Sequence, residues 1–147
     1  MRLSTRGRYG LRIMMELALR HGSGPVMVES IASAQGLTPS YVHLLAGGLK
    51  QAGLIKSVRG PGGGHELAKD PSKISALDIF EALEGPAFIA CVEDPGACTK
   101  TRVCATRDLW HDAWVAMEKI LADRTLADLV EAQRTKGTEH PLCDAQV

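Results

Sequence analysis

The turn-forming residues of the N-terminal half constrain the fold more than any other feature of the chain. Gly36 can adopt the left-handed conformation that ends a helix, and Thr38 followed by Pro39 is a strong signal for the start of the next one. Two short helices joined by a turn of three or four residues are typical of a helix-turn-helix, in which the second helix enters the DNA major groove. The sequence therefore predicts helices over about 28–35 and 38–53, the second being the recognition helix.

A first helix and a hairpin flank this pair. Ser4 or Thr5 can cap a helix whose apolar residues recur at helical spacing, and Gly22 begins the turn that ends it. Residues 54–68 read as a strand, a glycine-rich turn and a returning strand. The glycine run is not a phosphate-binding loop, because Gly-Lys-Ser or Gly-Lys-Thr is missing and His65 stands where a dinucleotide-binding loop needs its third glycine. We therefore predict a β-wing.

The net charge of the chain is zero, but the charges are divided unevenly. Residues 1–69 contain nine Lys or Arg and three Asp or Glu, a net charge of +6, whereas residues 70–147 contain eight and fourteen, a net charge of −6. A basic half suits contact with the phosphates of nucleic acid, and an acidic half is repelled by them. The division favours double-stranded DNA as a partner of the N-terminal half, although two solvated charged surfaces would give the same counts.

Three of the four cysteines are close together in the sequence, at Cys91, Cys98 and Cys104, and the fourth is Cys143. A disulfide would use two of the clustered thiols and leave the third unpaired, whereas three thiolates can converge on one soft metal centre. Cysteine-only zinc sites usually contain closely spaced Cys-x2–4-Cys pairs, which this Cys-x6-Cys-x5-Cys spacing lacks. The spacing therefore favours an iron–sulfur centre over zinc.

The second half of the chain predicts helices that serve dimerisation. A short amphipathic helix is expected over about 75–84, a long one over about 104–122, and a capped final helix from Thr125. We interpret the wide apolar stripe of the long helix as a dimer interface. The stripe contains Leu109 or Trp110, Ala113, Trp114, Met117, Ile120 and Leu121.

These elements predict a mainly α-helical fold with a small β-wing, in which an N-terminal winged helix-turn-helix is followed by a long C-terminal dimerisation helix. The expected regions are 1–70 for DNA binding, 71–134 for the cysteine loop and dimerisation, and 135–147 as a flexible tail. No apolar run approaches the roughly 20 residues that span a bilayer, and the start lacks an apolar signal segment. We therefore expect a cytoplasmic protein with no membrane partner, in which the thiols stay reduced.

Four segments together resemble a known family. They are MRLSTRGRY at 1–9, SYV at 40–42, GLI at 53–55 and VRGPGGG at 58–64. Followed by three cysteines, they resemble the winged-helix transcription regulators of the IscR, NsrR, RirA and CymR type, above all the IscR-like iron–sulfur members, up to about residue 133. The resemblance implies a homodimeric regulator, not an enzyme, that binds a pseudo-palindromic operator and senses iron, iron–sulfur status, oxidants or nitric oxide.

The resemblance also implies an iron–sulfur cluster on the three clustered cysteines, and we expect the 2Fe–2S form rather than 4Fe–4S. In cluster-binding relatives the fourth ligand is a histidine one helical turn after the third cysteine, or an acid near the N-terminus of the partner subunit. This chain has Arg107 and Arg8 at those positions, and arginine cannot ligate iron. Asp108 is the nearest plausible oxygen ligand, and His111 lies two turns beyond the third cysteine. The remaining candidates are the tail pair His140 and Cys143, solvent, or a small thiol.

The DNA contacts are expected on the first helix, the recognition helix and the wing. Phosphate contacts are assigned to the basic residues and Tyr9, base contacts to the start of the recognition helix, and a minor-groove contact to Arg59. Leu44 is expected to pack inward or to meet a thymine methyl group. The complete set is Arg2, Arg6, Arg8, Tyr9, Thr38, Ser40, Tyr41, His43, Lys50, Arg59 and Gly60.

Three functions compete on this evidence. The first is a transcription regulator controlled by an iron–sulfur cluster. The second is a metal-free thiol-switch or partner-regulated repressor of the same fold. The third, an enzyme such as a thiol oxidoreductase, has no support, because no Cys-x2-Cys pair exists and no histidine is placed by the sequence to activate a thiol.

Overall fold

The computed structural model describes residues 4–85 and 90–136. Within these ranges the chain forms seven α-helices, three 3₁₀ turns and one two-stranded antiparallel sheet. The helices are α1 (Thr5–Leu19), α2 (Val28–Gln35), α3 (Pro39–Gln51), α4 (Ala76–Glu84), α5 (Ala90–Glu93), α6 (Ala105–Ala122) and α7 (Leu126–Thr135). The strands are β1 (Ile55–Val58) and β2 (Gly64–Leu67), and the 3₁₀ turns are Pro71–Lys73, Pro95–Ala97 and Thr101–Val103. The predicted mainly α-helical fold with a small β-wing is confirmed.

The helix-turn-helix consists of α2 and α3, and its local signals act as predicted. Gly36 ends α2 in the left-handed conformation, with φ at 62°. The Thr38 hydroxyl accepts the backbone N–H of Tyr41, and Pro39 occupies the first turn of α3. Val42, Leu45 and Leu49 on the inner face of α3 are fully buried, so tertiary packing stabilises a helix that contains two glycines.

The wing is fixed to the segment that precedes α2. In the sheet, Ser57 pairs with His65 and Val58 with Gly64. On the other edge of β2, Val26 and His65 exchange two backbone hydrogen bonds of 2.8 and 2.9 Å. A Cβ atom at Gly64 would overlap the carbonyl oxygen of Val26, so only glycine permits this close approach. The base of the wing is therefore braced by a third extended segment.

Helix α4 lies between α1 and α3, and glycines make the close approach possible. A Cβ atom at Gly7 would lie 2.6 Å from the Phe80 ring, and one at Gly10 would overlap the Cδ1 atom of Leu83. On the other side, a Cβ atom at Gly48 would lie 3.1 Å from Cδ2 of the same leucine. Both methyl groups of Leu83 are thus held against helix backbones, one on α1 and one on α3.

Helix α7 returns to the N-terminal half. The backbones at Ser75 and Thr125 form an antiparallel bridge, and each residue begins a capping box at the start of its helix. Leu126 and Val130 of α7 are buried in the same hydrophobic core as α1 and α3. One core therefore contains residues from both sides of position 70. The functional division into regions 1–70, 71–134 and 135–147 stays a prediction, and residues 137–147 lie outside the described residues.

Helix α6 buries none of its own residues, although it contacts α4 and α5. Its large apolar side chains are open to solvent in the single chain, with exposed fractions of 62% for Leu109 and 65% for Ile120. Trp110 and Val115 are also exposed. Within the described ranges, no helix combines the length and the apolar character needed to cross a bilayer.

Replacing Gly10 by Ala should lower the free energy of unfolding by about 1–3 kcal/mol, because Leu83 has both methyl groups confined and cannot move away from the new Cβ atom. Gly47→Ala is the matched control in a helix: its Cβ atom meets nothing within 4 Å. The control should raise stability by about 0.5–1 kcal/mol through helix propensity. Urea denaturation at one fixed protein concentration measures both, and equal effects of the two substitutions would contradict the glycine contact.

Candidate nucleic-acid interface and cysteine loop

The start of α1 and the start of the recognition helix meet through two tyrosines. The rings of Tyr9 and Tyr41 are in edge-to-face contact, with centroids 6.1 Å apart. The guanidinium carbons of Arg8 and Arg12 lie 5.1 and 5.4 Å from the centroid of the Tyr9 ring. These are cation–π distances, so Tyr9 gathers two positive charges beside the N-terminus of α3.

A polar network between α1 and α2 holds this arrangement from behind. Arg12 Nε donates to the side-chain oxygen of Gln35 at 2.8 Å, and the Gln35 amide group donates to Glu16 at 3.3 Å. Glu16 in turn pairs with Arg20 at 2.6 Å. Gln35 and Glu16 are buried, and a buried polar group is stable only when it has hydrogen-bond partners. The network therefore fixes the orientation of α1 against the helix-turn-helix.

The expected base-reading residues are solvent-exposed on α3. Ser40 and His43 are exposed, and Tyr41 is partly buried by its contact with Tyr9. The Thr38 hydroxyl caps α3 by accepting the backbone N–H of Tyr41. The predicted contact of Thr38 with DNA stays a prediction. Leu44 is 62% exposed, so the first of its two expected roles, packing inward, is wrong, because Leu45 occupies the buried face instead. Contact of Leu44 with a thymine methyl group stays a prediction.

The remaining predicted contacts fall into two places. Arg6 is exposed on α1, while Arg59 and Gly60 are exposed at the tip of the wing. Lys50 lies two helical turns after His43, so the two residues share the side of α3 that faces β2. Arg2 lies outside the described residues. The structure thus groups the described candidates around α1, the recognition helix and the wing.

His65 joins the recognition helix to the wing, although it was not among the site residues predicted from the sequence. Its ring lies edge-on to the His43 ring, with centroids 6.4 Å apart, and its Nδ1 atom is 3.2 Å from the Ser57 hydroxyl. Burial lowers the pKa of His65 below its ordinary value of 6.5, and the positive charges of His43 and Lys50 lower this pKa further. His65 is therefore neutral at neutral pH.

The cysteine loop contains short helical pieces. Cys91 lies in α5 and is half-buried, Cys98 follows the turn Pro95–Ala97 and is exposed, and Cys104 is the half-buried N-cap residue of α6. All three thiols are free. Within residues 4–85 and 90–136, no three His, Cys, Asp or Glu side chains are close enough together to hold a metal ion.

Arg107 has a structural contact in place of the ligand role that histidine has in cluster-binding relatives. Its Nε atom donates to the backbone carbonyl oxygen of Cys91 at 2.8 Å, which ties α5 to α6. The guanidinium is also 3.8 Å from the carboxylate of Asp108. Asp108 is close enough to Cys104 for its negative charge to act on that thiol. His111 lies further along α6, 3.6 Å from Asp112.

Cys104 is chemically distinguished by its position at the start of α6. The Thr106 hydroxyl lies 3.1 Å from its sulfur atom, and this contact, followed by the backbone amides of Arg107 and Thr106, lowers the pKa of the thiol. The charge of Asp108 acts in the opposite direction. A lowered pKa favours the thiolate, which is the form that binds soft metals and reacts with oxidants. The lowered pKa therefore suits Cys104 either to metal ligation or to reaction with an oxidant.

Several residues that matter here gave only weak signals in the sequence. Gln35 could have been found as a polar residue on the inner face of α2, next to buried Ile31 and Ala32. His65 could have been found as a histidine at an inward position of a strand. The bond from Arg107 to the carbonyl oxygen of Cys91, sixteen residues away, had no signal in the sequence, and the contact of Thr106 with Cys104 had none beyond sequence proximity.

The sequence matches the family model described as "Rrf2: Iron-dependent Transcriptional regulator" over residues 3–132. It is 42% identical over 139 residues to the regulator CymR of Bacillus subtilis (strain 168), covering 95% of both chains. It is 35% identical over 143 residues to the regulator IscR of Klebsiella pneumoniae (strain 342), covering 95% of this chain and 88% of that one.

Solved structures give the same relatives. CymR, the global cysteine regulator of B. subtilis, matches with a TM-score of 0.75 and 41% identity over 90% of this chain and 98% of its own. IscR of T. potens matches with a TM-score of 0.79 and 34% identity over 100% of this chain and 94% of its own. The sequence and structure comparisons therefore agree on the fold and on the family.

Replacing Thr106 by Val should slow the alkylation of Cys104 by iodoacetamide in reduced, metal-free protein. The hydroxyl contact is the largest cause of the lowered pKa of this thiol, so its loss reduces the thiolate fraction at pH 7, and we expect a rate about twofold to fivefold lower. Peptide mass mapping over time gives the rate for each cysteine. Thr101→Val is the matched control, because the Thr101 hydroxyl donates to the carbonyl oxygen of Cys98 and not to a thiol. If both variants slowed Cys104 equally, the assignment would be wrong.

Proposed function

Because the chain belongs to the Rrf2 family of iron-dependent transcriptional regulators, we propose that it binds a pseudo-palindromic double-stranded DNA operator as a homodimer. The observation that carries this proposal is the contact of Tyr9 with Tyr41, which sets the basic start of α1 beside the start of the recognition helix. Phosphate-binding and base-reading groups are thereby presented together. A bacterial chromosome lies in the cytoplasm, so a cytoplasmic location is part of this proposal.

The homodimer is supported by the exposed apolar face of α6. Leu109, Trp110 and Ile120 are large, exposed and on one helix, and such a surface is characteristic of association rather than of contact with water. A two-fold dimer would present two recognition helices, and a pseudo-palindromic operator has the matching symmetry.

For the signal, we propose that Cys91, Cys98 and Cys104 hold an iron–sulfur cluster, in the 2Fe–2S form. Support comes from the all-thiol donor set, from the lowered pKa of Cys104, and from the similarity to IscR proteins. When bound, a cluster would supply a centre that iron limitation, oxidants or nitric oxide can remove or change. Asp108, whose charge already acts on Cys104, is the first candidate for the fourth ligand, and His111 is the second.

A metal-free thiol switch is the second candidate function, and one observation favours it specifically. The chain is 42% identical to CymR, and the solved CymR structure is that of a global cysteine regulator. Cys104, with its lowered pKa and a position at a helix start, is the thiol through which such a switch would act. In this alternative, oxidation of the thiol or a partner protein would change DNA binding.

Replacing Arg8 by Ala should weaken binding to all DNA sequences, because one phosphate contact is lost. The slope of log affinity against log salt concentration should become less steep by about one unit. Lys73→Ala is the matched control: Lys73 is an exposed cation outside the predicted interface. Fluorescence anisotropy titrations at salt concentrations from about 50 to about 300 mM give the DNA affinity of both variants and hence both slopes. A change in one base preference with an unchanged slope would refute the phosphate assignment.

Protein purified without oxygen should show visible iron–sulfur absorption, with iron and sulfide in equal amounts. Cys98→Ala should abolish the absorption, because two thiols are too few to retain the cluster. Val103→Ala is the matched control, since Val103 lies in the same loop, is 85% exposed and has no side-chain donor atom for a metal. Native mass spectrometry distinguishes the two candidate functions directly. A metal-free dimer that binds its operator only when reduced would exclude the cluster and support the thiol switch.

A further inference from the structure

A buried residue of the wing supports an exposed residue of the recognition helix. The His65 ring has an exposed fraction of 9%, whereas His43 projects into solvent. The two rings meet edge to face, with an interplanar angle of 77° and centroids 6.4 Å apart. This geometry is one of the preferred arrangements for aromatic pairs. His43, one of the side chains predicted to read a base, therefore rests on a side chain that is itself buried.

His65 is itself held on three sides. Its backbone N–H and C=O both bond to Val26, at 2.9 and 2.8 Å. Its Nδ1 atom is 3.2 Å from the hydroxyl of Ser57, its cross-strand partner. The preceding residue, Gly64, allows the Val26 backbone to come close enough for these bonds. His65 is thus a rigid support, fixed by backbone and side-chain contacts that do not involve the recognition helix.

An exposed histidine without such support would populate several rotamers, and ordering it at a DNA base would reduce affinity and discrimination. A ring that is already oriented loses less freedom on binding. We propose that His65 is a positioning residue for base recognition: it holds the His43 ring in one orientation and so sets the base preference at the operator position that His43 contacts. This inference rests on the proposed DNA-binding function.

The electrostatic setting agrees with this role. His43 and Lys50 lie on the side of α3 that faces β2, and burial together with their charges lowers the pKa of His65. With its pKa lowered, His65 adds no positive charge to this surface at neutral pH. The Ser57 hydroxyl meets Nδ1 of His65, and this contact fixes the ring orientation. The opposite face of the wing carries a separate ion pair between Lys56 and Glu66, 3.1 Å apart, that does not involve this pair of rings.

The test is selection of binding sites from randomised pseudo-palindromic DNA by the full-length protein, followed by affinity measurements on single-base variants of the selected motif. His43→Ala identifies the motif position that His43 reads. His65→Val removes the ring and places a β-branched residue, which is well suited to a strand, at this position. It should reduce the base preference at that same motif position by about fivefold. Affinity for non-specific DNA and the salt slope should stay unchanged.

Three further variants sharpen the result. His65→Phe restores a ring against His43 and should recover most of the preference. Combining His43→Ala with His65→Val should cause no loss at this position beyond that of His43→Ala alone, because the two side chains act as one unit. Glu66→Gln, on the opposite face of the same strand, is the matched control and should preserve the preference.

The outcomes separate this inference from the function on which it rests. If the unmodified protein selects no motif, the proposed DNA-binding function fails. If it selects a motif and His65→Val preserves the preference at the His43 position, the positioning role is overturned while DNA binding stands. A loss spread over every motif position would show general damage to the wing and would also overturn it. If His65→Val does not fold, His65→Leu, which also lacks the ring, replaces it, and an unchanged preference in that variant has the same meaning.

Discussion

The contact of α4 with glycines on α1 and α3 is the constraint on which the rest of the structure depends. Without side chains at Gly7, Gly10 and Gly48, the backbones of two helices come within van der Waals distance of Phe80 and Leu83. A residue of any larger size would separate the helices and open voids in a core that tolerates few. The winged helix-turn-helix therefore does not form its core alone, since a helix from beyond residue 70 is built into it.

This contact also links the cysteine loop to the DNA-binding surface. The carboxylate of Glu84, the last residue of α4, accepts the backbone N–H of Gly7 at 2.8 Å and the hydroxyl of Ser4. A negative group at the N-terminus of a helix satisfies free amides and interacts favourably with the helix dipole. The end of α4 thus caps α1, just before the chain leads to α5 and Cys91. The helix that precedes the cysteine loop in the sequence is therefore the one that fixes the start of α1, where Arg6, Arg8 and Tyr9 are located.

The sequence predicted the parts of the fold that are determined locally. The stop at Gly36 and the start at Thr38-Pro39 depend on the conformations of single residues, and α2 has the predicted bounds. Contacts between distant segments were not predictable in this way, because no periodicity encodes them. The pairing of His43 with His65 and the bond from Arg12 to Gln35 depend on how the wing and α1 dock on the helix-turn-helix. Leu44 illustrates the same limit, since its apolar character alone allowed either inward packing or contact with a thymine methyl group, and only the helix phase set by buried Leu45 excludes the first.

Arg107 shows why the cysteine spacing alone could not define the site. An arginine one turn after Cys104 removes a ligand, because a guanidinium has only donor groups. In the folded chain the same donors bond to the carbonyl oxygen of Cys91, which lies sixteen residues away in the sequence. The residue that cannot complete a metal site therefore holds the first cysteine of the loop to the helix that begins at the third.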